Sequence, residues 1–371
     1  MFDRLGVFVS RHWRLVLLGW AALVAVCVGL APRWDDVTKD GDFAYLPAAM
    51  TSARGERLLE SAFPEALSRS QVILVVCRPS GALTEADDEV ADRLVAGLTP
   101  AQEREGPILA VLSHQTEVVG EKLKSPVGPD GQAILIILQL RTEFMAIGNM
   151  GLVRDIRGIL NSERQSPGFP RGLELGITGS AAVGTDMLFS AEESIRNTER
   201  ATIILVVLIL LAVYRAPGLV AVPLATIFVS LAVSIGLVAW IARGLEPFPW
   251  LDYKIFKTTR IFIVVILFGA GTDFCLFLIA RYKEELHRGL EPAEAIAHAL
   301  GRVGGALAAS AMTTILGLGA MVFADFGKFR NSGPTIALCL AVGLAASLSL
   351  APAMLRATGR LVFWPFGWKL R

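Results

Sequence analysis

Hydrophobic positions gather into six runs along the chain, at 15–30, 201–213, 219–241, 261–280, 303–324 and 334–355, with polar stretches between them. Runs of this length predict membrane-crossing helices, because a bilayer core about 30 Å thick takes roughly 20 apolar residues. Lipid also leaves no other partner for backbone N–H and C=O groups. The run at 201–213 is short and borrows length from a helix expected to enter it from 191–200. Between the first two runs, 32–200 has ordinary polarity and is the only part large enough to fold in water. The expected organisation is therefore an N-terminal segment with the first span (1–31), an outer domain (32–200), five further spans (201–355) with a surface helix near 282–302, and a tail (356–371).

Within 32–200 the periodicity changes. "QVILVVC" (71–77) is a buried-strand run, "TEADDEVADRLVAGL" (84–98) has helical spacing with acids in its first turn, and "ILAVLS" (108–113) is a second strand. The pattern recurs as the strand "AILIILQL" (133–140), a helix over 143–162 through Met145, Leu152, Val153, Ile156 and Leu160, and the strand "LELGIT" (173–178). Two strand–helix–strand units in tandem predict an α+β, split βαβ domain resembling the ferredoxin-like type. Ahead of it, Leu58, Leu59, Ala62 and Phe63 form the apolar stripe of an amphipathic helix.

Composition agrees with the membrane pattern: 53% of the 371 residues are hydrophobic, 19% are charged and mean hydropathy is +0.55, too apolar for an ordinary soluble domain. A net charge of +1 gives no basic surplus for nucleic acid, so that partner is set aside. Cys27, Cys275 and Cys339 lie in apolar runs and only Cys77 lies elsewhere, which leaves no disulfide framework or CxxC site. The four histidines are too scattered to share a metal, no cofactor is expected, and no GxxxxGK[ST] loop makes ATP a direct energy source.

Lysine and arginine near the span ends favour one side. Arg4, Arg11, Arg14, Arg215, Arg281, Lys283, Arg288, Arg302, Arg356, Arg360, Lys369 and Arg371 face Arg243, Lys254, Lys257, Arg260, Lys328 and Arg330. The bias predicts cytoplasmic termini in the inner membrane and an outer domain beyond it. Trp13, Trp20, Trp34, Trp240, Trp250, Trp364 and Trp368 fall mostly near span ends as an interfacial belt, and the first span reads as an uncleaved anchor.

One residue breaks the pattern. Asp273 lies about 18 Å along a helix from Ile261 and about 12 Å from Arg281, near mid-membrane. A carboxylate at that depth costs about 2.5–3.5 kcal/mol on insertion scales, so a functional role as a proton-binding group outweighs one as packing. Gly269 and Gly271 allow another helix to approach, Thr272 makes the wall partly polar, and "ALAASAMTTILGLGAM" supplies Ser310, Thr313, Thr314 and Gly317 on one small, hydroxyl-bearing side. The bland alternative for each hydroxyl is a bond to its own backbone four residues back.

The stretch "FGAGTDFCLFLIARYKEEL", together with "TGSAAVGTDM", "RAPGLVAVPLATIFVSLAVSIGL" and "GGALAASAMTTILGLGAMVFADFGKFRNSGP", resembles the MMPL transporters of the RND superfamily over essentially the whole chain. That resemblance implies export of lipids or other hydrophobic compounds driven by proton influx, with Asp273 as proton relay and 32–200 as a porter domain. Phe274 stands where many relatives have tyrosine, so the proton path falls to Asp273, nearby hydroxyls and water. Relatives usually carry two copies of such a unit, and one is present here. The expectation is a half-transporter paired with itself or another chain, or else the product of a split or truncated gene. Its partners are protons, membrane lipids, a hydrophobic substrate and that second half. Two rivals stand beside it. "GAGTD" approaches the Gly-x-Gly-Asp of intramembrane aspartyl proteases, but no other span offers a central acid for a dyad, so no enzyme is expected. A non-transporting, sterol-sensing-like lipid-binding or regulatory scaffold is the stronger rival.

Overall fold

The computed structural model describes residues 1–38, 46–47, 49–63, 68–103, 106–128, 131–214, 216–248 and 253–363. Trp250, Trp364, Trp368, Arg215, Lys369, Arg371 and most of the expected tail lie outside them. In chain order the elements are α1 (Phe2–Arg11), α2 (Trp13–Leu30), α3 (Trp34–Val37), α4 (Thr51–Ala62), β1 (Ser70–Arg78), α5 (Glu85–Glu103), β2 (Ile108–Leu112), β3 (Gln132–Leu140), α6 (Gly148–Arg164), β4 (Glu174–Thr178), α7 (Ser180–Tyr214), α8 (Pro217–Leu245), α9 (Lys257–His287), α10 (Pro292–Gly319) and α11 (Gly327–Thr358). They fall into two compact units, Asp40–Ser194 and Met1–Lys39 with Ile195–Arg371.

The first of these units is built on one four-stranded sheet, in the order β2-β3-β1-β4, with every pairing antiparallel. The central strands pair from Ser70 opposite Leu140 to Arg78 opposite Gln132. Their alternation sends Val72, Leu74, Val76, Ile134, Ile136 and Leu138 to one face, where Val90, Ala91, Leu94 and Leu98 of α5 and Val153, Ile156 and Leu160 of α6 cover them. Each large aliphatic side chain buried there contributes about 1.5–3 kcal/mol. The chain then turns into α7 at Gly179, where φ is 98° and a Cβ would lie 2.6 Å from the Gln71 carbonyl oxygen, so only glycine fits. Ala181 and Ala182, in the "TGSAAVG" stretch, complete the core.

A buried ion pair anchors the start of α5. Asp87 is fully buried and accepts from Arg78 at both oxygens, Nε to Oδ2 and Nη2 to Oδ1, each 2.8 Å, while the Thr84 N–H donates to Oδ2 at 2.8 Å. The fork of Arg78, followed by the Thr84 bonds, holds the Asp87 carboxyl below its ordinary value against the opposing effect of burial. A depressed carboxyl contributes stability above its unfolded value, near 3.9, and that contribution is lost as pH falls through the lower folded value. Asp87→Asn removes the charge that answers Arg78 and turns an amide NH2 toward it at a fully buried position, so we expect it to destabilise this unit by about 1–3 kcal/mol at neutral pH. Hydrogen exchange of the full chain checks this: β1 and α5 should lose protection, and the difference from wild type should narrow in acid.

In the second unit, five helices among the described residues are long and apolar enough to cross a membrane: Trp13–Leu30, Pro217–Leu245, Thr259–His287, Pro292–Phe323 and Gly327–Phe363. The remaining expected span, 201–213, is the end of α7, which begins at Ser180 and is not among the five. No separate surface helix occupies 282–302. α9 continues to His287, Gly289 at φ 87° makes the turn, and Pro292 opens α10 at once. A glycine past one helix end and a proline at the first position of the next are the ordinary stop and start.

α11 is the central helix of this bundle, packing on α1, α2, α8, α9 and α10. Glycines set the close crossings: a Cβ on Gly343 would meet Leu267 Cδ2 at 2.7 Å, and one on Gly236 would meet the Cys27 carbonyl oxygen at 2.8 Å. Polar bonds tie helices together between Trp20 Nε1 and Ser349 Oγ (3.0 Å), Tyr253 and Thr335 (2.7 Å), and Thr259 and Ser332 (2.8 Å). Pro223 lies inside α8, and Pro334 and Pro352 lie inside α11.

Helix α1 lies against the start of α10, with the backbone at Gly6 touching Ala297: a Cβ there would come within 2.8 Å of the Ala297 carbonyl oxygen. Phe2 packs on Gly304, Asp3 on Gly301, and Ser10 Oγ donates to the Ala293 carbonyl at 2.8 Å. Gly6→Leu forces these two backbones apart. Overpacking of this kind costs about 1–3 kcal/mol, and thermal scanning of the full chain in detergent should show a lower melting temperature.

Candidate functional site

Helix α9 is held on three sides, by α8, α10 and α11. Ile263, Val264, Leu267, Phe268, Cys275 and Leu278 point into those contacts and are buried. The opposite face carries Phe262, Val265, Gly269, Asp273, Phe277 and Ala280, all exposed. Spacings of three and four put them in one stripe. Asp273 therefore stands in the middle of an apolar face that the chain's own described helices leave uncovered. No described residue forms a hydrogen bond or ion pair with its carboxylate.

The glycines expected to serve helix packing divide. Gly271 faces α8, where a Cβ would meet Ile227 Cγ1 at 3.0 Å, whereas Gly269 and Gly317 have nothing within 4 Å. Thr272 is half-buried and its hydroxyl lies 2.8 Å from both the Phe268 and Gly269 carbonyl oxygens. Phe274 sits inside the bundle core. On the neighbouring α10, Ser310, Thr313 and Thr314 are exposed, and Thr313 donates to its own backbone at Ala309, 3.0 Å away. No hydrogen bond among the described residues joins these hydroxyls to Asp273. Asp273 and these hydroxyls thus stand exposed on two helices that pack together, α9 and α10.

No group of three His, Cys, Asp or Glu side chains among the described residues could hold a metal ion.

Residues 44–371 match the model of the MMPL family. The chain belongs to the MMPL family. With that family comes the RND superfamily, and with the apolar helices a multi-pass membrane protein. Among the relatives of this MMPL protein is the membrane protein ActII-3 of Streptomyces coelicolor, 31% identical over 361 residues, or 95% of this chain and 46% of that protein. The apo-petrobactin exporter of Bacillus anthracis is 27% identical over 99% of this chain and 48% of its own length. The sulfolipid-1 exporter MmpL8 of Mycobacterium tuberculosis is 29% identical over 97% of this chain and 32% of its own. The chain spans between a third and a half of the length of these curated relatives.

One acid of this MMPL chain is absent from the residues singled out above. Glu285, in the last turns of α9, is 3% exposed and bridges Arg281 at 2.6 Å and Arg288 at 3.3 Å. The spacings of four and three in "RYKEELHR" were the available signal, since they place all three charges on one helix face. Two further contacts, Arg281 to Glu284 at 2.6 Å and Arg288 to Glu284 at 2.7 Å, extend the set. Such a doubly paired carboxylate holds the end of α9 in place.

Proposed function

We propose that this chain is one unit of a proton-driven exporter that moves a lipid or other hydrophobic compound out of the inner membrane, and that Asp273 is its proton relay. The observation that carries this is the carboxylate's place, alone and open at the centre of an apolar face. A charge facing lipid at mid-membrane is costly, and protonation or a polar neighbour relieves that cost. The working unit therefore sets this face against a second unit of the same kind, on the same or another chain. Asp273 gains and loses its proton between them, with Thr313, Thr314 and water close by. Each charge that crosses 100 mV supplies about 2.3 kcal/mol, so a few protons suffice for a cycle.

The finer architecture follows the same proposal. The end of α7 completes six spans, both termini are cytoplasmic, and the antiparallel sheet in the order β2-β3-β1-β4 with its two helices is a ferredoxin-like porter domain. The named exporters among the relatives support a hydrophobic or amphipathic cargo. The protein acts as a carrier and not as an enzyme.

The test is proton flux. Full chains reconstituted in vesicles loaded with a pH-sensitive dye receive a lipid extract of the source cell, with and without an imposed pH gradient. Gradient-dependent acidification that requires the extract is expected. Lipid binding without any flux would replace the exporter with a regulatory lipid-binding scaffold.

A further inference from the structure

Where α1 hands over to α2, where α10 begins and where α11 nears its end, the bundle carries an open, shallow cleft of about 390 Å³. Ser10, Arg11, Trp13, Glu294, Ala297 and Arg356 line it. We propose that this cleft binds the phosphate headgroup of an anionic phospholipid.

The position comes from the spans themselves. Trp13 is the first residue of one span, Pro292 the first of another, and Arg356 lies in the last turns of a third. A cleft framed by span ends sits at the level of lipid headgroups. Its walls are fixed, because Ser10 bonds to Ala293 at 2.8 Å and Gly6 abuts Ala297.

Its chemistry is that of an anion site. The Arg356 Nε is buried with no partner among the described residues, and a buried donor left without an acceptor is destabilising. Arg11 is exposed, and no described carboxylate pairs with it. Glu294 is the one acid in the lining, and it lies in the first turn of α10, where the positive end of the helix answers its charge. Two guanidinium forks thus remain for a group with paired oxygens, the geometry that phosphate offers. Arg14, whose guanidinium lies 5.1 Å from the centre of the Trp13 ring, adds positive charge alongside.

The apolar surface decides between a lipid and a free phosphate. Val7 lines the cleft, and the exposed stripe runs on through Phe8, Leu15 and Leu18, from α1 onto the span α2. A second hollow of about 410 Å³ on α1 shares Val7 and Arg11 and brings in Arg4 together with the acid Asp3. Large apolar side chains beside arginines on one open helix face match an acyl chain with its phosphate above it. A free ion would leave the apolar half unused. The inference stands on this end of the bundle alone and does not require that the chain export anything.

Native mass spectrometry of the full chain in detergent, titrated with phosphatidylglycerol or with phosphatidylcholine of the same acyl chains, tests it. Phosphatidylglycerol should bind with the higher affinity. Arg11→Gln and Arg356→Gln should each weaken that binding about fivefold, the worth of one arginine at a charged lipid surface. The paired Arg11→Lys, Arg356→Lys variant keeps the charge without the fork and should bind between wild type and the paired glutamine variant. Arg243→Gln, at the other end of α8, should change nothing. Unchanged phosphatidylglycerol affinity in a paired glutamine variant that elutes as wild type overturns the proposal. So does an equal loss in Arg243→Gln, which means diffuse attraction, or displacement of the lipid by inorganic phosphate at equal concentration, which means a free-anion site.

Discussion

Asp273→Asn should abolish gradient-driven proton flux and export while the protein folds as wild type. The two side chains are nearly the same size, and among the described residues the carboxylate has no hydrogen bond or ion pair for asparagine to break. A surface substitution of this kind shifts stability by no more than about 0.5 kcal/mol. What changes is chemistry: an amide cannot take up and release a proton. Loss of a positioned proton-transfer group removes about 10²–10⁴-fold in rate, so flux should fall to the level of empty vesicles. Asp273→Glu keeps a titrating group about one bond further from the backbone and should retain part of the flux. Wild-type flux in the asparagine variant, at matched protein content, would remove Asp273 from the mechanism.

Gly269→Ile should separate assembly from folding. A Cβ added at Gly269 meets no described residue within 4 Å, one turn before Asp273 on the open stripe. Isoleucine is a better helix former than glycine and lies within about 0.7 kcal/mol of alanine, so the melting temperature should hold. If a second unit packs on this face, the new side chain stands in its way, and flux should be lost together with the paired mass in native spectra. Gly343→Leu is the contrasting variant. There Leu267 already lies 2.7 Å from the Cβ position, so the bundle itself should lose about 1–3 kcal/mol and melt earlier. Full flux in Gly269→Ile would mean that the face round Asp273 stays open in the working protein.

The strands were legible because a period of two leaves a plain trace when one face is buried. The runs at 71–77 and 133–140 became β1 and β3 with Val72, Leu74, Ile134 and Ile136 inward. Both covering helices were visible, α5 from its helical spacing and first-turn acids and α6 from Val153, Ile156 and Leu160, which the core now buries. Helix α1 escaped notice, since ten residues of mixed charge and apolarity are hard to separate from the run that follows His12. Around Asp273 the limit is physical. A helix apolar on every side carries no contrast between the face that meets protein and the face that does not. The sequence therefore singled out the acid, but could not tell that Cys275 turns inward while Asp273 turns out. For the hydroxyls, the local bond of Thr313 to Ala309 won over a bond to the acid, because the backbone acceptor is always in reach.

The prolines of α11 give the central helix a mechanical character. A proline lacks the N–H that would bind the carbonyl four residues earlier, and its ring presses on that carbonyl, so bending at that point sacrifices no further hydrogen bond. Pro334 and Pro352 place two such joints near opposite ends of the one helix that touches α1, α2, α8, α9 and α10. A change of curvature at either joint is felt by five helices at once, including the one that carries Asp273.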